Sequence, residues 1–249
     1  MEQRPVCLSI GGSDSCGGAG IQVDLRVFEA LSVQGCSAIT ALTAQNPDVI
    51  KSIQPSSIAH FTAELQAIFD YYNVVCVKVG MLYDQAHLEA LIPFIQHIPL
   101  VVDPVLISSS GTFLFDEYTA KNAYAKLIPH ATLWTPNLDE AAFFLGHTSH
   151  DAKQIAINLF NMFQTPVLLK GGHGDTQQLQ DILCMAHDEV SIFEHPKQDI
   201  SSEKLHGTGC RLASAIAAYI AHQHPVFTAI KKAHIWLQID LESLQYSES

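Results

Sequence analysis

The residue types that could do chemistry are concentrated at the start of one helix. The segment His206-Gly207-Thr208-Gly209-Cys210-Arg211 is spaced by glycines, and residues 212–221 after it are rich in Ala and Leu, with no helix breaker before Pro225. A helix start presents unpaired backbone N–H groups and the positive end of the helix dipole, and glycines let this backbone approach an anion closely. The segment therefore suits a phosphate or a developing oxyanion, in a field that favours the thiolate of Cys210. The alternative is a glycine-rich turn in which Cys210 is only a small apolar side chain.

Polar side chains also follow several apolar runs that read as strands. Lys170 comes after Val-Leu-Leu and before two glycines, which fits a cation that touches phosphates, although a solvated lysine at a strand end has the same pattern. Asp103, Asn137 and Glu140 could together hold Mg²⁺ and its waters. Asn137 and Glu140 by themselves also fit an N-cap with its capping-box partner.

Two more polar residues have surroundings that call for a partner. Gln45 ends an apolar strand, where a buried amide needs hydrogen bonds, and its donor and acceptor match the edge of an aminopyrimidine or a similar heterocycle. Asp24 lies on the first helix, either as an exposed carboxylate or as a site residue.

The glycine-rich loop over residues 11–20 has the glycine spacing of a P-loop, but Gly18 stands where that motif needs lysine. We therefore expect this loop to close over a small molecule through backbone contacts.

The elements that must position these groups alternate between short apolar strands and amphipathic helices. Such alternation predicts an α/β fold with a central, mostly parallel sheet covered by helices on both faces, where polar groups beyond the strand ends form the ligand crevice. We expect one domain over residues 1–249, with a β-hairpin at one edge of the sheet. The expected strands cover 6–10, 36–44, 74–79, 100–102, 131–134 and 167–169, the helices 21–31, 57–72, 84–97 and 227–244, and the hairpin 181–186 with 189–194.

Composition excludes several classes of function. A net charge of −12 argues against nucleic-acid or anionic-membrane binding, and 15% charged with 48% hydrophobic residues is typical of a globular chain. Six scattered cysteines without a CxxC pair indicate reduced thiols. We expect neither a signal peptide, because the first residues lack its apolar segment, nor a membrane span, because no apolar run is long enough. We expect a cytoplasmic protein. No HExxH or Cys/His quartet occurs, so we expect no structural zinc.

Seven stretches, in order along nearly the whole chain, resemble the hydroxymethylpyrimidine/phosphomethylpyrimidine kinases of thiamine biosynthesis. Each stretch is a modest motif, but their ordered sum is specific. They include Gly-Gly-Ser-Asp-Ser-Cys-Gly-Gly-Ala-Gly at the first loop, Thr-Pro-Asn-Leu-Asp-Glu-Ala before a helix, and His-Gly-Thr-Gly-Cys at the last loop. The stretches are residues 11–24, 41–46, 77–82, 102–105, 135–141, 169–173 and 206–210.

The resemblance implies a ribokinase-like fold, a homodimer, ATP and Mg²⁺ as cofactors, and phosphorylation of 4-amino-5-hydroxymethyl-2-methylpyrimidine and then of its monophosphate. It also implies roles for individual residues. By this resemblance, the residues that would contact the pyrimidine are Gly12, Asp24, Gln45 and Met81. Contacts to ATP fall on Asn137, Glu140, Lys170 and Thr208, and the Mg²⁺ site falls on Asp103 and Glu140. The anion hole falls on Gly207, Thr208, Gly209 and Cys210, with Cys210 where related sugar kinases carry an Asp base.

The chain departs from the family pattern at three places. Arg211 replaces a small hydroxyl residue and would either add a phosphate contact or face solvent, residues 46–48 alter the loop after Gln45, and Ser108-Ser109-Ser110-Gly111 lacks a lysine. Two alternatives therefore remain beside the pyrimidine kinase. One is a pyridoxal or pyridoxine kinase on the same fold, and the other is a non-catalytic pyrimidine-binding module.

Overall fold

A nine-stranded sheet forms the centre of the molecule. The computed structural model describes residues 4–46, 48–106, 117–171, 178–187, 189–197 and 207–246. The strands lie side by side in the order β3-β2-β1-β4-β5-β6-β7-β8-β9. They are β1 (Val6–Asp14), β2 (Gln34–Gln45), β3 (Ile50–Pro55), β4 (Val74–Val79), β5 (Leu100–Val102), β6 (Leu133–Trp134), β7 (Val167–Leu169), β8 (Gln178–Ala186) and β9 (Glu189–Pro196).

Helices cover both faces of this sheet. α2 to α6 pack on one face and α1, α7 and α8 on the other, each against its own apolar core. β4 contributes to both cores, with Val77 and Val79 on one side and Cys76 on the other, which is why it is apolar at every position except Lys78. The helices are α1 (Gly20–Ala30), α2 (Ile58–Tyr71), α3 (Gln85–Leu91), α4 (Glu117–Leu127), α5 (Leu138–Leu145), α6 (Ala152–Phe163), α7 (Thr208–Ala221) and α8 (Val226–Tyr246), with 3₁₀ turns at Ile92–Phe94 and Ile128–His130.

The sheet is mostly parallel, as the sequence predicts. β1 pairs in parallel with β2 on one side and with β4 on the other, and parallel pairing continues to β7. After β1, the chain adds β2 and β3 on one side of it and then β4 to β9 on the other. In open α/β sheets the crevice at the carboxyl ends of strands around such a reversal is the usual ligand site.

The two ends of the sheet are antiparallel. The expected hairpin is confirmed as β8 and β9 at one end. β3, antiparallel to β2 at the other end, was not expected, because its mixture of polar and apolar residues does not form an apolar run. α3 ends at Leu91, earlier than expected, where Pro93 enters a 3₁₀ turn, since proline lacks the N–H that continues an α-helix. None of the helices in the described ranges combines the length and apolar character needed to cross a bilayer.

Candidate active site

A cavity of about 420 Å³ opens where β1, β2, β4, β5 and β7 end and α7 begins. Every site residue expected from the sequence lines this cavity except Thr208, which is the first residue of α7 between two lining glycines. Sequence positions from one end of the chain to the other are therefore gathered in one place. The expected residues that line it are Gly12, Asp24, Gln45, Met81, Asp103, Asn137, Glu140, Lys170, Gly207, Gly209 and Cys210.

Two glycines bring the start of α7 close to its neighbours. Gly207 is the N-cap and has a φ of 81°, in the left-handed region, and a Cβ there would collide with the carbonyl oxygen of Gly18. A Cβ on Gly209 would lie 3.2 Å from Nζ of Lys170. Because the N-cap is a glycine, it has no side chain to accept hydrogen bonds from the backbone N–H groups of the first turn. The helix start therefore meets the lysine ammonium with backbone N–H groups available to an anion.

Lys170 is held beside a carboxylate. Its Nζ lies 2.7 Å from Oδ1 of Asp103, and a parallel bridge pairs its backbone with Asn137. Burial by itself lowers the pKa of Lys170, but Asp103 and Glu140 outweigh it and leave that pKa raised. Burial by itself raises the pKa of Asp103, but Lys170 and Lys78 leave that pKa lowered. Both members of the pair are therefore charged at neutral pH.

Asn137 and Glu140 form the capping box at the start of α5. Oδ1 of Asn137 accepts from the Glu140 N–H and Oε2 of Glu140 accepts from the Asn137 N–H, each at 2.8 Å. The capping interpretation is thus correct, and it coexists with a place in the cavity wall. Burial, with a smaller contribution from Asp103, raises the pKa of Glu140 to about 7 despite the nearby Lys170.

The cavity lining has an excess of negative charge. Among the residues that the structure describes, the acidic side chains of the lining are Asp14, Asp24, Asp103, Asp139 and Glu140, and the basic ones are Lys78 and Lys170. A divalent cation would offset this excess and would favour the ionised form of Glu140. Mg²⁺ prefers carboxylate and water oxygens, so the donor set at Asp103 and Glu140 fits it.

Cys210 differs from the expectation of a thiolate. The side chain is buried, and burial is the largest of the influences that raise the pKa of its thiol to about 11. Lys78 and the Gly20 N–H lower this pKa, whereas Asp103 and Asp24 raise it further. The expectation was wrong because it considered the helix field alone, without burial or neighbouring carboxylates. At neutral pH Cys210 is a thiol.

Gly12, Met81 and Gln45 lie together at the ends of β1, β4 and β2. A Cβ on Gly12 would lie 2.9 Å from Sδ of Met81, so glycine leaves room for that side chain. The Gln45 N–H donates to Oγ of Ser15 at 2.9 Å, which ties the end of β2 to the glycine-rich loop. These contacts hold the predicted pyrimidine-binding residues against the loop.

Asp14 is a cavity residue that sequence reasoning missed. Its carboxylate accepts from the N–H groups of Cys16 and Ala19 at 2.9 and 2.8 Å and so shapes the turn of the loop. Burial raises its pKa, but hydrogen bonds from Gln45 and Cys16 outweigh burial and leave that pKa lowered. The available signal was its position in the glycine-rich loop that follows the first apolar run.

Asp24 is not an exposed helix carboxylate. Both of its oxygens lie 2.9 Å from Nζ of Lys78, and the hydroxyls of Ser9 and Ser214 donate to them at 2.6 and 2.7 Å. Asp24 and Lys78 are each only 1% exposed. Sequence reasoning missed Lys78, although a lysine inside the apolar run of β4 needs a buried counter-charge.

Arg211 neither lines the cavity nor faces solvent. Its Nη1 lies 2.7 Å from Oδ2 of Asp240 on α8, and only 14% of its side chain is exposed. Both outcomes expected for this residue were wrong, because α8 packs beside α7 and supplies a carboxylate. The other departures at Pro47 and at residues 108–111, together with His206, Gly172 and His173, lie outside the described residues.

Most of the chain is similar to known proteins. The model of the phosphomethylpyrimidine kinase family matches residues 14–247. The chain belongs to this family. The hydroxymethylpyrimidine/phosphomethylpyrimidine kinase of Rhizobium meliloti (strain 1021) is 36% identical over 238 residues, which cover 93% of this chain and 88% of the relative. The phosphomethylpyrimidine kinase family comprises phosphotransferases, so the chain is an enzyme of that class.

Solved structures agree with this assignment to the phosphomethylpyrimidine kinase family. The phosphomethylpyrimidine kinase of Clostridium difficile 630 superimposes with a TM-score of 0.81 at 31% identity, covering 96% of this chain and 100% of that one. The pyridoxal kinase of Staphylococcus aureus, in complex with AMP-PCP and pyridoxal, gives a TM-score of 0.80 at 26% identity, covering 93% and 85%. The expected ribokinase-like fold is confirmed.

Proposed function

We propose that the protein transfers the γ-phosphoryl group of ATP to the hydroxymethyl oxygen of 4-amino-5-hydroxymethyl-2-methylpyrimidine, and then phosphorylates the resulting monophosphate, in thiamine biosynthesis. The observation that carries this proposal is the meeting of Lys170 with the glycine-flanked start of α7, in a cavity that also contains Gln45 and Met81. The names of the relatives and of the matching family point to the same substrate.

Phosphoryl transfer depends mainly on positioning and on neutralising the charge of the transferring group. In this proposal Lys170 and the amides of residues 207–210 bind the phosphate oxygens, with Thr208 and Asn137 directed toward the nucleotide. Gln45 orients the pyrimidine by its amide, Met81 and Gly12 bound the ring, and Asp24 lies in the same wall. Mg²⁺, when bound at Asp103 and Glu140, would supply further neutralisation of the phosphate charge.

Several properties of the assembly belong to the same proposal. We infer a homodimer on the resemblance to the family, and ATP as nucleotide, because the Staphylococcus aureus neighbour is described with an ATP analogue. We also infer a cytoplasmic protein without nucleic-acid or membrane partners, which the net charge of −12 supports. A single kinase domain over residues 1–249 completes the proposal.

The direct test measures ADP release in a coupled assay with ATP and Mg²⁺. Hydroxymethylpyrimidine should give ADP with a kcat/KM at least about tenfold above that for pyridoxal, because the Gln45 amide can pair with the aminopyrimidine edge. The monophosphate, supplied in a separate reaction, reports on the second phosphorylation. Preference for pyridoxal would make the protein a pyridoxal kinase, the function named for one structural neighbour. Pyrimidine binding without any ADP release would make it a non-catalytic binding module.

Cys210 is proposed to accept the proton of the substrate hydroxyl. Because the pKa of its thiol is about 11, the reactive thiolate is scarce at neutral pH and increases about tenfold per pH unit as the pH rises toward that value. We expect kcat of the unmodified enzyme to rise between pH 7 and 9. Cys210→Ala should lower kcat about 100-fold at pH 9, near the lower end of general-base effects, and should flatten this rise.

The matched control is Cys7→Ala, which removes a buried thiol in β1 outside the cavity and should keep both rate and profile. A Cys210→Ala enzyme that keeps the unmodified rate at saturating pyrimidine would remove the base role and leave positioning as the mechanism.

A further inference from the structure

Asp181, His195 and His234 form a cluster outside the cavity. They come from β8, β9 and α8, and their side chains are 4%, 14% and 9% exposed. One ligand atom from each, two imidazole nitrogens and one carboxylate oxygen, lies within 4.8 Å of the others. None of the three lines the proposed kinase site. The phosphoryl-transfer proposal does not use them.

The ring of His234 is fixed by its own helix. Nδ1 lies 3.0 Å from the carbonyl oxygen of Ile230, and because a carbonyl only accepts, Nδ1 carries a proton and donates it. Nε2 then faces Oδ2 of Asp181 at 2.8 Å. In the neutral ring this places a lone pair against an anionic oxygen, so the contact requires a cation, either a proton or a metal ion.

The surroundings of His195 favour a metal ion over a proton. Its Nε2 lies 3.6 Å from Oδ2 of Asp181, which is too long for a hydrogen bond. Both of its ring nitrogens are buried and have no hydrogen-bond partner among the residues that the structure describes. A proton between His234 and Asp181 would leave His195 unsatisfied. A metal ion among the three side chains would satisfy both imidazoles and the carboxylate.

The supporting contacts are those of a metal site. Metal-binding histidines commonly donate their second nitrogen to a backbone carbonyl, as His234 does. Oδ1 of Asp181 accepts from the Gly171 N–H at 2.8 Å, which fixes the carboxylate and directs Oδ2 toward the imidazoles.

We propose that Asp181, His195 and His234 bind a single Zn²⁺ ion, with water as the fourth ligand. Two imidazoles and one carboxylate suit zinc, whereas Mg²⁺ prefers oxygen ligands, so this site and the proposed magnesium site select different ions. The ion links β8, β9 and α8 and lies behind Gly171, the residue after Lys170. We infer that it stabilises this edge of the sheet and takes no part in phosphoryl transfer. This proposal departs from the expectation of no structural zinc, because the three ligands come from separate elements and share no local motif.

The test uses the full chain, stripped of metal with a chelator and dialysed against Zn²⁺ in excess Mg²⁺. We expect about one zinc per chain by mass spectrometry of bound metal, and a rise of several degrees in Tm on adding zinc. His195→Gln and His234→Gln should each weaken zinc binding at least about 100-fold and abolish the rise in Tm. The controls are His222→Gln and Cys16→Ser, which remove an exposed imidazole and an exposed thiol and should change neither result.

Two results would overturn the proposal. The first is an unmodified protein that takes up no zinc under these conditions, or the same uptake in His195→Gln as in the unmodified protein. The second applies even if the variants fail to fold, because it uses crystals of the unmodified protein soaked in Zn²⁺. Anomalous zinc scattering should appear between the three side chains, and zinc found only elsewhere would reject the site.

Discussion

Lys170→Met is expected to lower kcat/KM for ADP release about 100- to 1000-fold. Lys170 is the cationic side chain beside the start of α7, and loss of one preorganised donor to a developing charge has effects of this size. The loss should appear mainly in kcat, because the lysine is proposed to bind the transferring group more strongly in the transition state than in the ground state. Steady-state kinetics with hydroxymethylpyrimidine at saturating ATP and Mg²⁺ measure it.

The same substitution also leaves the Asp103 carboxylate without its lysine, so folding must be controlled. Near-ultraviolet circular dichroism at the assay temperature reports whether the variant is folded. Lys153→Met makes the identical change at an exposed position on α6 and should leave the kinetics unchanged. A folded Lys170→Met enzyme with kcat within about threefold of the unmodified protein would contradict the proposed role of Lys170.

Lys78→Met is expected to lower the free energy of unfolding by about 3–5 kcal/mol. The substitution leaves Asp24 as an uncompensated carboxylate at 1% exposure, and breaking a buried ion pair in this way has effects of that size. Since native proteins are stable by only about 5–15 kcal/mol, the loss is a large part of the total. Urea unfolding followed by circular dichroism gives the value.

Two companion variants show whether this loss comes from the unpaired charge. Adding Asp24→Asn to Lys78→Met should recover part of the loss, because no buried carboxylate then remains unpaired. Arg4→Met breaks the Arg4–Glu29 pair, whose side chains are 51% and 70% exposed, and should change stability far less. Equal losses in Lys78→Met and Arg4→Met would show that the buried pair contributes no more than a surface pair.

The sequence predicted the strands and helices well where burial is continuous. β4, β5 and β7 are buried on both faces, so their apolar runs match the observed bounds. β3 was missed because it is an edge strand with no fully buried residue, and the end of α3 was misplaced because the effect of Pro93 was not considered. The pattern of apolar residues predicts poorly an edge strand that forms by pairing with its neighbour, or a helix end that is set by a single proline.

For the site, the sequence by itself determined which positions meet. Polar residues directly after parallel strands must lie at one edge of the sheet, so Asp103, Asn137 and Lys170 were gathered by connectivity alone. The glycines around Thr208 likewise indicated a close backbone approach, which the contacts of Gly207 and Gly209 display.

Only the tertiary structure decided the charge and the partner of each group. Burial beside two carboxylates makes Cys210 a thiol, and packing against α8 turns Arg211 toward Asp240. The pairing of Lys78 with Asp24, and the meeting of His234 with Asp181, join elements far apart in the chain that share no local motif. The physical reason is that protonation and pairing depend on desolvation and on atoms within a few ångströms, and these are set by how the helices pack on the sheet.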